Sequence, residues 1–287
     1  MTEHFVAPPQ WEWYIVWYFF LGGIAGGAYA LGAILRLMGD ERDAPVARTA
    51  FLLSLPVLAI CPILLTLDLG LPLRFWHMLI DSRTFGLNFK YWSPMSVGVW
   101  VLLIFSLFAL VSFLDALASV RGSRAPILKG GLGRLIMIVG AFFGLFLAGY
   151  TGVLLSVSNQ PIWSDTWALG ALLLASSLSV AAAALILVTR FGRHEASAEA
   201  KLSRADRYFS LLELALLAVF FVSLGAVASR FLAPRWMALW VVVVVCIVVP
   251  FVLQLSTTRR APALVAAVLT LVGGLALRVV VIFSAQM

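Results

Sequence analysis

Sulfur and imidazole are scarce in this chain, which has 2 cysteines and 3 histidines in 287 residues. An iron–sulfur cluster needs four thiolates, so Cys61 and Cys246 cannot hold one, and both read as buried apolar thiols. His4, His77 and His194 lie outside every long apolar run. A membrane haem held by two helical histidines is therefore not expected, nor is any other metal site. Charge is thin too, at 11% of residues against 63% hydrophobic. That ratio excludes a soluble domain, which needs a polar shell. The start, MTEHFVAPPQWEW, lacks a basic region and a small-residue cleavage site, so no cleaved signal peptide is expected. The first apolar span is expected to act as an uncleaved insertion signal.

What the chain does have is long apolar runs. Eight are read, at about 14–38, 48–70, 94–119, 133–156, 165–190, 207–233, 235–257 and 263–284, each near the ~20 residues that cross a bilayer. The expected fold is an all-α integral membrane protein forming a single domain over 1–287. Lys and Arg are sorted by side. Fourteen flank the connections 1–2, 3–4, 5–6 and 7–8, including Arg36, Arg48, Arg124, Lys129, Arg193, Lys201 and Arg259. Five flank the opposite face: Arg74, Arg83, Lys90, Arg230 and Arg235. The positive-inside rule places the basic connections in the cytoplasm and both termini outside, as in a bacterial inner membrane protein. A net charge of +7 invites a nucleic-acid reading, but short cytoplasmic loops account for it.

The longest outer connection, 71–93, carries Phe75, Trp76, Leu79 and Ile80 in a stretch that suits a short interfacial helix. Trp and Tyr crowd the outer edges, more than an ordinary aromatic belt asks. The longest inner connection, RFGRHEASAEAKLSR, reads as a solvated linker.

Several residues stand out. In YFFLGGIAGGAYALG, Gly22/Gly26 and Gly23/Gly27 repeat at four-residue spacing; they serve close helix packing or make room for a flat ring or isoprenoid tail. Asp68 closes the second span, where an ionisable residue is costly unless paired or wetted. Arg74 and His77 follow it, as a proton-handling cluster or an ion pair that fixes the loop. Tyr150 lies about 9 Å inside the outer end of the fourth span, counting 1.5 Å per residue. Its phenol needs a partner, either a quinone carbonyl or a backbone carbonyl. Asn159, Gln160 and Trp163 cap the same mouth. Asp115 and Glu213, one to two turns from the inner edge, start a proton path or pair with loop arginines. Arg278 lies deeper, with Asp68 as a partner to consider.

These segments together resemble the NrfD-like membrane subunit of polysulfide-reductase-type complexes. LGGIAGGAYAL, DLGLPLRFWH with KYWSPMSVGVW, GYTGVLLSVSNQPIW and LGGLALRVVVIFSAQ carry the resemblance, in order, over most of the sequence. It implies two four-helix bundles, 14–156 and 165–284, with a quinone site (menaquinone or ubiquinone) near the outer surface of the first. It implies an outer ferredoxin-like iron–sulfur partner and, in many relatives, a molybdopterin catalytic subunit. Tyr150 matches the family's quinone-contacting tyrosine. Tyr18 stands where a relative has a quinone-contacting histidine, and Ile15 where it has an asparagine, so that last contact is not carried over. The resulting candidates for quinone contact are Tyr150, Tyr18, Gly22, Gly23, Gly26, Asp68, Arg74 and Asn159. Those for proton transfer are Asp68, His77, Asp115, Glu213 and Arg278. The expected function is quinone-linked electron exchange with a docked iron–sulfur subunit, with no metal in this chain. A secondary transporter or a passive membrane anchor are the alternatives; a transporter is expected to show helices broken at the midplane, and Pro56, Pro62 and Pro250 fall within spans.

Overall fold

A computed structural model describes residues 9–122, 128, 130–191, 196–256 and 260–286. His4, His194, Arg124, Lys129, Arg193 and Arg259 therefore lie outside the described residues. Its long helices are α1 (Trp13–Met38), α2 (Ala44–Asp68), α3 (Pro94–Val120), α4 (Gly130–Ser156), α5 (Leu169–Phe191) and α6 (Ala196–Leu224), followed by a single turn, α7 (Ala228–Phe231), then α8 (Pro234–Ser256) and α9 (Arg260–Ser284). Eight are long and apolar enough to cross a membrane. In lipid, an α-helix satisfies its backbone polar groups within the segment itself.

The helices run unbroken through Pro56, Pro62 and Pro250. The largest departure from the hydropathy reading is α6, which starts 11 residues before the apolar run. AEAKLSRADRYF is rich in helix formers, so the helix extends beyond the hydrocarbon into the polar connection, part of which is therefore not linker. At its other end Gly225 takes φ +53° and turns the backbone into the short α7.

Helix α1 is the axis of the fold. It packs on α2, α4, α5 and α9, whereas α3 packs on α2 and α4, and α6 packs on α5 and α8. Its face from Ile15 to Ala33 is almost wholly buried. No hydrophobic drive separates helix from lipid in a bilayer, so close backbone approach does much of the work. A Cβ on Gly26 would strike the Gly144 carbonyl of α4, and one on Gly27 would lie 2.7 Å from the Ala181 Cβ and 2.9 Å from the Ser177 carbonyl of α5.

Between α2 and α3, Pro72–Met78 forms a 3-10 helix, so the expected short helix is present with tighter winding. Beyond it, Asp81 accepts bonds from the Arg83 amide (3.0 Å) and the Thr84 hydroxyl (2.9 Å). Those bonds, the amide first, hold its carboxyl below its ordinary range. The Trp11 amide donates to Gln286 Oε1 at 2.7 Å, and the Trp11 ring stacks on Trp163 with centroids 5.2 Å apart. Trp163 is fully buried and donates to the Val281 carbonyl at 2.8 Å. It is a core strut rather than a cap on an open mouth.

At the opposite end of the helices, Lys201 of α6 reaches Asp43 (2.7 Å) and Asp40 (3.0 Å) between α1 and α2. Arg190 pairs with Glu199 across the α5–α6 connection.

Candidate functional site

Two polar regions lie within the helices. The first lies where α1 and α3 begin and α2 and α4 end. Tyr18 of α1 is 3% exposed, and its hydroxyl has no hydrogen-bond partner among the described residues. Its phenol interacts electrostatically with Cys61 of α2 and Tyr150 of α4. Gly22 stands one turn along α1, where a Cβ would lie 3.8 Å from the Tyr18 ring and 3.9 Å from Cys61 Sγ. Tyr150 is buried, and its hydroxyl donates to the Pro94 carbonyl of α3 at 2.5 Å. Of the two partners expected for Tyr150, the backbone carbonyl is therefore present. Its ring fits over Gly98, where any Cβ would clash with it, and stacks beside Phe146. Tyr18 is left as the phenol with hydrogen-bonding capacity to spare. Deeper in the same bundle Tyr29, which drew no attention in the sequence, meets the Ser112 hydroxyl at 2.7 Å.

The other outer candidates are spread along the rim. Asp68 is half-buried at the end of α2, and its charged neighbour is Glu12, the residue that precedes α1. Arg74 is exposed. The His77 ring packs edge-on to Trp76, and its carbonyl accepts from Asn88 Nδ2 at 2.8 Å. No salt bridge joins Asp68 to Arg74 or His77 among the described residues, so the Asp–Arg–His cluster is not assembled. Asn159 is exposed on the turn after α4, with Gln160 buried behind it.

Gly23 and Gly26, expected beside Gly22, point elsewhere. Gly26 lies against the Gly144 carbonyl of α4. A Cβ on Gly23 would lie 2.5 Å from Ser177 Oγ and 3.0 Å from Arg278 Nη2. This glycine makes a slot for the second polar region, because consecutive residues on a helix face directions about 100° apart.

The second region is a buried polar file between α5, α6, α8 and α9. Arg278 is fully buried. It donates to the Gly274 carbonyl (2.7 Å), Ser177 (2.9 Å) and Ser176 (3.2 Å), and its guanidinium lies over the Phe20 ring at 5.6 Å. Its charged neighbour is Glu213, so the pairing with Asp68 considered from the sequence does not occur. Glu213 is 3% exposed and also interacts with Ser176. Glu213 Oε1 and Arg278 Nε have no partner among the described residues. Glu213 is 17 residues along α6 from Ala196, and the first part of that helix lies in the polar connection. Two turns nearer the inner edge, fully buried Asp206 accepts from Ser179 (2.7 Å) and from Gln254 Nε2 (2.6 Å). Ser179 also meets Ser210 at 3.3 Å.

Asp115 does not belong to this file. Its Oδ1 accepts the Leu128 amide at 2.9 Å, so it holds the backbone just ahead of α4, and no arginine pairs with it among the described residues. Asp206, Ser176, Ser177, Ser179 and Gln254 were missed in the sequence. The visible signal for the three serines is LASSLSV, a polar cluster in the middle of a largely apolar helix.

The family model described as "Polysulphide reductase, NrfD" matches residues 2–287. Over 189 residues the sequence is 26% identical to the C subunit of polysulfide reductase from Wolinella succinogenes. The alignment covers 62% of this protein and 57% of that relative, so the match spans little more than half the relative's length.

Proposed function

The chain belongs to the NrfD, polysulphide reductase, family, and from that premise we propose that it is the quinone-reactive membrane subunit of a multi-subunit oxidoreductase. The observation that carries the reading is the Tyr18 phenol: buried at 3% exposure, without a hydrogen-bond partner among the described residues, and beside a glycine whose missing side chain leaves room. The Tyr18 hydroxyl, at the tip of a largely buried ring, has a donor to place, and a quinone carbonyl supplies an acceptor. Gly22 and Cys61 offer an apolar wall for a flat ring.

Bound menaquinone or ubiquinone would supply two-electron, two-proton chemistry. The residues of this protein bind and orient it and handle its protons. Tyr18 donates to a carbonyl. Tyr150 holds the start of α3 through the Pro94 carbonyl and closes one wall with its ring. Asp68, beside Glu12 at the rim, passes protons to the outer water. The file Asp206, Ser179, Ser210, Glu213, Ser176, Arg278 carries protons from the arginine-rich side. Electrons are exchanged with a ferredoxin-like iron–sulfur subunit docked on the outer face, itself joined to a molybdopterin or other redox catalytic subunit. The setting is a bacterial inner membrane with both termini outside, as the arginine asymmetry indicates.

Unbroken helices at Pro56, Pro62 and Pro250 weigh against a transporter, whose sites form at discontinuous helices. Buried Asp206, Glu213 and Arg278 weigh against a passive anchor, because intramembrane charge is costly and marks function. The test is Tyr18→Phe in the assembled complex, with quinol turnover as the readout. Losing a hydrogen bond made to a bound carbonyl is expected to lower kcat/KM by about tenfold or more. Unaltered turnover would remove Tyr18 from the site.

A further inference from the structure

The arginine-rich end of the first bundle holds a cavity that neither the quinone site nor the polar file uses. It has a volume of about 400 Å³ and is lined by Leu35, Arg36, Gly39, Asp40, Glu41 and Ala44, where the backbone leaves α1 and enters α2. Its wall carries both signs of charge. Arg36 and Glu41 are exposed and in no ion pair among the described residues. Asp40 is partly spent, because it shares the Lys201 ammonium with Asp43. Arg48 turns back so that its Nε donates to the Ala44 carbonyl at 3.3 Å, which brings a second guanidinium to a residue of the wall. Ile34 and Met38, one turn apart on α1, stand 50% and 84% exposed beside it. At the end of a membrane-spanning helix, this is the level of lipid headgroups.

We propose that this cavity binds the headgroup of an aminophospholipid, with its phosphate on Arg36, its ammonium on Glu41, and its acyl chains against Ile34 and Met38. A guanidinium fork matches phosphate oxygens two at a time. A primary ammonium has three donors to offer a carboxylate, whereas a choline headgroup has none. A purely anionic headgroup satisfies Arg36 but meets Glu41 and Asp40 with like charge, which is unfavourable at short range. The mixed wall therefore selects a zwitterionic headgroup with a free amine. This differs from the purely basic patches that recruit anionic lipid.

Native mass spectrometry of the full-length protein in mild detergent tests the idea, with phosphatidylethanolamine, phosphatidylcholine and phosphatidylglycerol added in turn to wild type, Arg36→Gln and Glu41→Gln. Wild type is expected to retain one phosphatidylethanolamine about tenfold better than either of the others, the factor for one charge-assisted contact. Arg36→Gln should lose that adduct, and Glu41→Gln should retain ethanolamine and choline lipids equally. Thermal unfolding of both variants, each altered at an exposed position, should match wild type. Equal or better retention of phosphatidylglycerol, no retained lipid, or unchanged selectivity in Glu41→Gln would each overturn the proposal. So would displacement of the lipid by an equal concentration of soluble glycerophosphoethanolamine, which would make the ligand a soluble phosphoamine. None of these outcomes depends on quinone chemistry.

Discussion

Gly22 and Gly23 are neighbours in sequence yet face different regions, so alanine at each should do opposite things. At Gly22 the added Cβ would lie 3.8 Å from the Tyr18 ring and 3.9 Å from Cys61 Sγ, ordinary contact distances. Alanine also gains up to ~1 kcal/mol in helix propensity, so stability should hold or rise slightly. The methyl nevertheless intrudes beside the free Tyr18 hydroxyl. An extra carbon in a fitted space costs about 1–3 kcal/mol, which raises the quinol KM by roughly 5- to 150-fold. At Gly23 the Cβ would lie 2.5 Å from Ser177 Oγ and 3.0 Å from Arg278 Nη2. Ser177 already donates to the Leu173 carbonyl at 2.6 Å and accepts from Arg278 at 2.9 Å, so it cannot yield without breaking one of these bonds. Overpacking costs about 1–3 kcal/mol and an unpaired buried N–H about 1–3. Set against the ~1 kcal/mol of propensity, the net loss is about 1–5 kcal/mol. Thermal unfolding in detergent and quinol kinetics in membranes separate the two effects. Gly22→Ala should unfold with wild type and show a raised KM; Gly23→Ala should unfold several degrees lower. A stable Gly23→Ala together with an unstable Gly22→Ala would refute the assignment of the two faces.

Tyr150→Phe removes the bond to the Pro94 carbonyl and nothing else visible, so unfolding should shift by about 1 kcal/mol. Quinol turnover should fall less than in Tyr18→Phe, and the reverse ranking would return Tyr150 to the reacting group. Asp115→Ala frees the Leu128 amide and should cost about 1–3 kcal/mol with quinol KM unchanged. A changed pH profile of turnover would put Asp115 back on a proton route.

The spans were legible because the bilayer imposes a length and a composition that hydropathy reads directly. The start of α6 was not, because AEAKLSRADRYF is helical by propensity but polar, and a hydropathy window reports burial in lipid rather than helix. That one boundary hid Asp206, which sits just outside the apolar run. Tyr18, Gly22 and Tyr150 were legible as a group, but which phenol is free was not. That depends on the Pro94 carbonyl lying within reach of Tyr150, a contact across 56 residues. Gly23 could not be told from Gly22 by spacing, because overlapping four-residue repeats mark two faces without naming what packs on either. Arg278 was correctly read as needing a polar setting, yet its partners come from α5 and α6, which no local pattern connects to α9.

The same helix thus borders both polar regions: α1 offers Tyr18 and Gly22 to one and Gly23 to the other. Glu213 decides what the second region does. As a mere counter-charge to Arg278, its loss would leave the guanidinium with Gly274, Ser176, Ser177 and the Phe20 face. The effect would be on stability alone, because an uncompensated buried charge is costly. As a proton carrier, it must change protonation during turnover, which glutamine cannot do. Glu213→Gln keeps the volume and the acceptor while removing the exchangeable charge. In the complex reconstituted into vesicles with a trapped pH dye on the arginine-rich side, and run in the direction of quinone reduction, proton uptake per quinone reduced should drop by a large factor. Electron transfer, served by Tyr18 and the Asp68 rim, should persist. If uptake per quinone reduced is unchanged while unfolding shifts, Glu213 is a structural counter-charge and protons from that side travel by another route.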